Sequence, residues 1–249
     1  EHIFIDPHPD PKTSFKERER LFRMPRSTWA DYDLTKLSAG GGIWPRTAKS
    51  IELTESARKA LGIGAQRLSP TELIHEMIKS PADLLFNGGI GTYIKASTES
   101  HESVGDRVND ALRVDASQLR CRVIGEGGNL GLTQLGRIEF SRRGGLCHTD
   151  AIDNSAGVDT SDHEVNIKIL LGAAVEAHEI DMDERNTLLE AMTEEVALQV
   201  LRNNYAQTQA LALAVDRAPS LIHHHSRAMR QLERSYGLDR ELEHLPGDE

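Results

Sequence analysis

The chain has 249 residues, of which 38% are hydrophobic, 27% charged and 4% aromatic, and its formal net charge is -10. That length holds one large domain or two small ones, with a core built mainly from Leu, Ile, Val and Ala. The acidic balance argues against nucleic acid and anionic membrane as partners, since a phosphate surface is repelled rather than neutralised. No apolar run reaches membrane length and no leader is visible, so a cytoplasmic location is expected.

The chain opens on the apolar run Ile3-Phe4-Ile5 with no methionine before it, which reads as a cut made inside a domain. His2 to Asp6 form a short buried strand that stops at the turn cluster Asp6-Pro7-His8-Pro9-Asp10-Pro11. Ser14 to Met24 is helix-prone, and the connector Gly40-Gly41-Gly42 precedes Ile43-Trp44-Pro45. Thr54 caps a short helix ending at Gly62. Ser69-Pro70-Thr71-Glu72 is a capping box with proline at the first helical position, and its helix runs to about Lys79.

Asp83 to Phe86 reads as a strand, as does Cys121 to Ile124. A helix follows from about Leu132 to Arg143, then a short strand around Leu146 to Ile152. Ser161 to about Ala177 is helical. Asp181 with Glu184 starts another helix, which reaches towards Val215, and Pro219 opens a last amphipathic one ended by Gly237. Strands alternating with helices define an α/β class: a partial Rossmann-like parallel sheet flanked by helices, then an α-helical extension. The change of character falls near residue 160, giving segments 1–160 and 161–249.

In such sheets ligands bind beyond the carboxyl ends of the strands. The loop Asn87-Gly88-Gly89-Ile90-Gly91-Thr92 lets backbone approach a ligand closely, or is simply a turn; it is neither a G-x-G-x-x-G nor a Walker pattern. In Glu126-Gly127-Gly128-Asn129-Leu130-Gly131, a carboxylate and an amide flanked by glycines suit a polar ring amide. The equal alternative puts Asn129 in a left-handed turn and pairs Glu126 with Arg107 or Arg113. In Asp153 through Ser161, small residues lead into a helix whose N-terminus suits a carboxylate, although Ser161 with Glu164 is a capping box that needs no ligand. His223-His224-His225 fan around a helix and cannot share a metal. His148, Asp150 and Asp153 have no recognised ligand spacing, and Lys95 and Lys168 receive no role. Cys121 and Cys147 are the only cysteines and read as reduced thiols.

Taken together and in this order, the three loops resemble the glutamate dehydrogenase family, specifically its very large bacterial NAD-dependent class. The similar stretches are His2-Ile3-Phe4-Ile5-Asp6-Pro7, Gly40 through Arg46, Asp83 through Thr92, Gly125 through Gly131 and Asp153 through Glu164, and the likeness extends over essentially the whole chain. It implies oxidative deamination of L-glutamate to 2-oxoglutarate and ammonia with NAD as cofactor, in a homo-oligomer. Gly125 to Asn129 is similar to the "EGAN" segment of the hexameric members, so Asn129, with Gly127 and Gly128, is expected by the nicotinamide. Asn154-Ser155-Ala156-Gly157-Val158 is similar to their "NAGGV" segment, which implies the same for Asn154. Ser161 stands at the offset of their serine for the substrate's side-chain carboxylate. Asn87, Gly88, Gly89 and Gly91 hold the place of their "PAA" turn along the cofactor ribose, by position only. The resemblance puts the pyrophosphate fingerprint, the ribose acid and the catalytic lysine and aspartate ahead of residue 1, so no catalytic residue is expected here and the piece alone is expected to be inactive. The alternatives are another amino-acid dehydrogenase on the same fold and a non-catalytic helical assembly module.

Overall fold

In β1 (His2–Ile5), Ile3 and Ile5 are buried while His2 and Phe4 are only partly so, the period of two expected of a strand with one face on a core. The structure, a computed structural model describing residues 1–247, starts α1 (Pro11–Arg23) earlier than the charge pattern indicated. Asp10 accepts a hydrogen bond from the Thr13 N–H at 2.8 Å and Pro11 takes the first turn, so the end of the proline cluster is a helix start. β1 pairs antiparallel with β2 (Gly42–Pro45), Ile3 opposite Trp44. The glycine connector is therefore the approach to a strand, a pairing that local sequence does not announce.

β3 (Ile51–Glu52) and β4 (Arg67–Leu68) form a second antiparallel pair. Between them Thr54 caps α2 (Glu55–Leu61), which stops at Gly62 in the left-handed conformation, φ 65°. Ser69 and Glu72 make the reciprocal capping box of α3 (Pro70–Ile78). These elements close over one core of Ile3, Ile5, Ile51, Leu53, Ala57, Ile63 and Leu73.

The α/β portion follows: β5 (Leu84–Asn87), β6 (Ile94–Lys95), α4 (His101–Val104), β7 (Val114–Asp115), β8 (Val123–Glu126), α5 (Gln134–Arg142) and β9 (Leu146–Cys147). The three-stranded sheet has the order β5-β8-β9; β8 and β9 run parallel, with Ile124 opposite Cys147, and β6 pairs parallel with β7. Leu85, Ile124 and Cys147 turn into a second core with Leu119, Leu132 and Phe140. The alternate residues Leu84, Phe86 and Leu146 stay 55%, 65% and 66% exposed, so the sheet buries one face.

Two expectations are corrected. The strand expected over Leu146 to Ile152 ends at Cys147, and Asp150–Asp153 is a short helix, α6, with two aspartates in its first turn where the helix dipole favours them. The loop expected over Asp153 to Ser161 is mostly helix: α7 (Ser155–Glu176) starts at Ser155. Ser161 is thus an exposed residue inside α7, and its capping box with Glu164 does not form; Glu164 pairs with Lys168 one turn on. Packing of α7 on the long α8 (Met182–Asp216) outweighs the local helix-start signal at Ser161. Asp181 and Glu184 make the expected capping box of α8, and α9 (Ala218–Tyr236) ends at the left-handed Gly237. No helix among the described residues is long and apolar enough to cross a membrane.

The chain divides into two compact units: Glu1–Gly125 with Leu130–Cys147, and Glu126–Asn129 with the chain from His148 onward. The four residues Glu126–Asn129 leave the sheet unit and fold with the helices.

Candidate functional site

In the sheet unit, the turn after β5 is built by Asn87, whose Oδ1 accepts the Gly89 N–H at 3.3 Å. The Nδ2 of the same side chain is buried without a hydrogen-bond partner among the described residues. The glycines of this loop have different duties. Gly91 sits at φ 131°, where a Cβ would lie 2.7 Å from Asn109 Nδ2, so a side chain is excluded there. At Gly89 nothing stands within 4 Å of a Cβ, and at Gly88 only Phe86 does. Backbone at those two positions is open to a close-fitting ligand.

The far end of the loop is held from below. Asp106 accepts the Thr92 N–H at 2.9 Å and the Asn109 amide at 2.7 Å. The hydrogen bond from the Asn109 side chain first, and that from the Thr92 N–H second, hold its carboxyl below the usual carboxylate range. Arg113, whose side chain is fully buried, donates Nε to the Thr92 carbonyl at 2.8 Å and a second nitrogen to Asp110 at 2.5 Å. Arg113 is thereby committed to this loop.

In the helical unit, Glu126 is completely buried and its backbone N–H donates to Asp153 Oδ2 at 2.9 Å. Asp153 Oδ1 stands 3.6 Å from His148 Nδ1. The same neighbourhood brings two expected residues together: Asn154 Nδ2 donates to Asn129 Oδ1 at 2.7 Å. Asn129 is not in the left-handed region; Leu130 is, at φ 56°. Asn154, at φ −101° and ψ 14°, is the single residue between α6 and α7, and its side chain caps neither helix, which leaves it available to Asn129. Both line a cavity of about 580 Å³ with Asp150, Ser155, Asp159 and Gln207.

The bond uses one polar atom of each amide and leaves the Asn129 NH2 and the Asn154 side-chain carbonyl, one donor and one acceptor, outside it. A carboxamide ligand needs that complement. Gly157 stands close by in the first turn of α7: a Cβ there would sit 3.1 Å from Asn154 Oδ1. Ser161 does not line this cavity, and its hydroxyl makes no hydrogen bond among the described residues. Lys95 pairs with Asp115 and Lys168 with Glu164, and no cluster of metal-ligating side chains occurs among the described residues. Sequence reasoning missed Asn203, Asn204 and Gln207 of α8, which reach this region from about fifty residues further along the chain. Nothing local marks them.

Turns rich in glycine and asparagine after β5 and β8 are what a ligand-binding α/β protein carries at the carboxyl ends of its strands. The family model described as bacterial NAD-glutamate dehydrogenase, catalytic domain, matches residues 1–214, and the chain belongs to that family. It is similar to the NAD-specific glutamate dehydrogenase of Pseudomonas aeruginosa, 58% identical over 248 residues, which is 100% of this chain and 15% of that protein. The protein of the same name from Halomonas elongata is 54% identical over 248 residues, 100% of this chain and 15% of that protein. That of Mycobacterium tuberculosis is 51% identical over 253 residues, 99% of this chain and 16% of that protein. The chain thus spans about 15% of the length of the curated relatives it matches.

Proposed function

We propose that this chain supplies part of the NAD site of a glutamate dehydrogenase that converts L-glutamate to 2-oxoglutarate and ammonia. Bound NAD supplies the hydride acceptor for oxidation at the glutamate α-carbon. The share of the residues described above is orientation. Asn129 and Asn154, bonded to each other at 2.7 Å, offer a donor and an acceptor to the nicotinamide carboxamide. Gly127 and Gly128 keep the approach to Asn129 free of side chains. Asn87, Gly88, Gly89 and Gly91 line the ribose, with open backbone at Gly88 and Gly89. Ser161, exposed on α7 two turns after Asn154, reads the distal carboxylate of the substrate with its hydroxyl. The NAD-binding part reaches to about residue 160, and residues 161–249 are the helical region.

The observation that carries this reading is the contact between Asn129 and Asn154, because it joins two loops that sequence similarity separately associates with the nicotinamide. Its test is an assay of the full-length protein with L-glutamate and NAD, run beside NADP and a panel of other amino acids. Turnover confined to glutamate with NAD is expected. Faster turnover of a different amino acid points to a dehydrogenase of another specificity. Absence of any nucleotide-dependent rise in melting temperature points to an assembly module.

A further inference from the structure

Asn154 alone leaves the helical path between α6 and α7, so the aim of its carboxamide depends on how those two helices meet. That junction is bridged from α8. Asn204 Nδ2 donates to the Ile152 carbonyl, in the last turn of α6, at 2.8 Å, and to Ser155 Oγ, at the first residue of α7, at 2.9 Å. The two hydrogens of one amide serve both acceptors at once. Val200, one turn earlier on α8, is only 4% exposed, and Thr208, one turn later, donates to the Asn204 carbonyl at 3.1 Å. This side of α8 is therefore packed and directional. Asn203 adds a second tie, donating to Asp159 Oδ2 at 2.9 Å one turn into α7.

We propose that Asn204 is a positioning residue of the NAD site: by stapling α6 to α7 across the Asn154 hinge, it holds the Asn154 carboxamide on Asn129. This rests on the reading of the Asn129–Asn154 pair as the nicotinamide contact, and it gives the helical extension a task in cofactor use. Asn204 touches neither cofactor nor substrate in this scheme. Its whole effect passes through Asn154.

Two substitutions that keep the branched side-chain shape in the full-length protein test it. Asn204→Asp replaces the donor by an acceptor facing two oxygens, and Asn204→Leu removes hydrogen bonding altogether. NAD affinity is measured by calorimetric titration, with melting temperatures and the KM for NAD and for glutamate alongside. Either variant is expected to weaken NAD binding on the order of tenfold, leaving the KM for glutamate unchanged at saturating NAD. Placed in an Asn154→Ala background, either is expected to add no further loss, which a merely structural role does not produce. Losses that add to that of Asn154→Ala, or NAD affinity unchanged in both variants, overturn the staple. An Asn154→Ala protein with unimpaired NAD affinity overturns the nicotinamide reading instead. If Asn204→Asp fails to fold, Asn204→Leu carries the same comparison.

Discussion

Asn154 donates its side-chain amide to the side-chain carbonyl of Asn129 across 2.7 Å, although the two are 25 residues apart in sequence. Each looks like an ordinary turn residue when read alone. Together they form a bonded amide pair on the wall of a cavity, with one further donor and one further acceptor outside that bond. Loop geometry of this kind costs the side chains their freedom before a ligand arrives, which is how a protein orients a bound group.

Gly157 separates fold stability from site geometry. Gly157 lies in the first turn of α7, where alanine is favoured over glycine by less than the roughly 1 kcal/mol of a helix interior, so Gly157→Ala is expected to leave the melting temperature unchanged or raise it slightly. Its new Cβ, 3.1 Å from Asn154 Oδ1, pushes the carboxamide away from Asn129. NAD affinity is expected to fall at the same time. A variant that is more stable and binds NAD as well as the parent contradicts this.

Asp153 ties the end of β8 to α6 through the Glu126 N–H at 2.9 Å. Removing the acceptor in Asp153→Ala strands a buried donor, at a cost of about 1–3 kcal/mol. Asp153→Asn keeps an acceptor oxygen and is expected to lose less. Urea midpoints of the two variants give the comparison, and equal losses would sink the assignment.

Arg113 is the support of the loop after β5, with its side chain fully buried among Thr92, Asp106 and Asp110. Arg113→Leu leaves those acceptors facing each other and is expected to cost on the order of 3 kcal/mol. Arg113→Lys rescues little, because one ammonium cannot reproduce the forked contacts to Thr92 and Asp110. Full rescue by lysine, read from denaturant unfolding, falsifies the forked role.

Asp106 sets an acid limit. Its carboxyl is lowered first by the Asn109 hydrogen bond and then by the Thr92 N–H. A carboxyl that is more acidic folded than unfolded stabilises the protein fully above the unfolded value, near pH 4, and the contribution fades as pH falls through the folded value. Asp106→Asn is expected to give a shallower acid limb than the parent, with a reduced stability plateau at neutral pH. Identical acid limbs in pH-dependent melts rule this out.

Local chemistry explains which elements were legible in the sequence. Ser69 with Glu72, Asp181 with Glu184, Thr54, Gly62 and Gly237 mark helix ends within a few residues of themselves, and each does so in the structure. The pairing of β1 with β2 depends on residues about forty positions apart, and the glycines between them carry no period to reveal it. Ser161 misled because its capping box is a valid local motif, overridden when α7 packs on α8 and begins at Ser155. Asn129 and Asn154 are legible only through the family resemblance of their segments. Asn204 was invisible because nothing near it records its partners at Ile152 and Ser155.

The most direct measurement is NAD affinity in full-length protein carrying Asn129→Ala, Asn154→Ala and both together, with the melting temperature of each as a control on folding. Each single substitution is expected to weaken NAD binding by roughly tenfold, with the double little worse than either, because each breaks the same bonded pair. Folded variants that bind NAD as tightly as the parent would contradict the account.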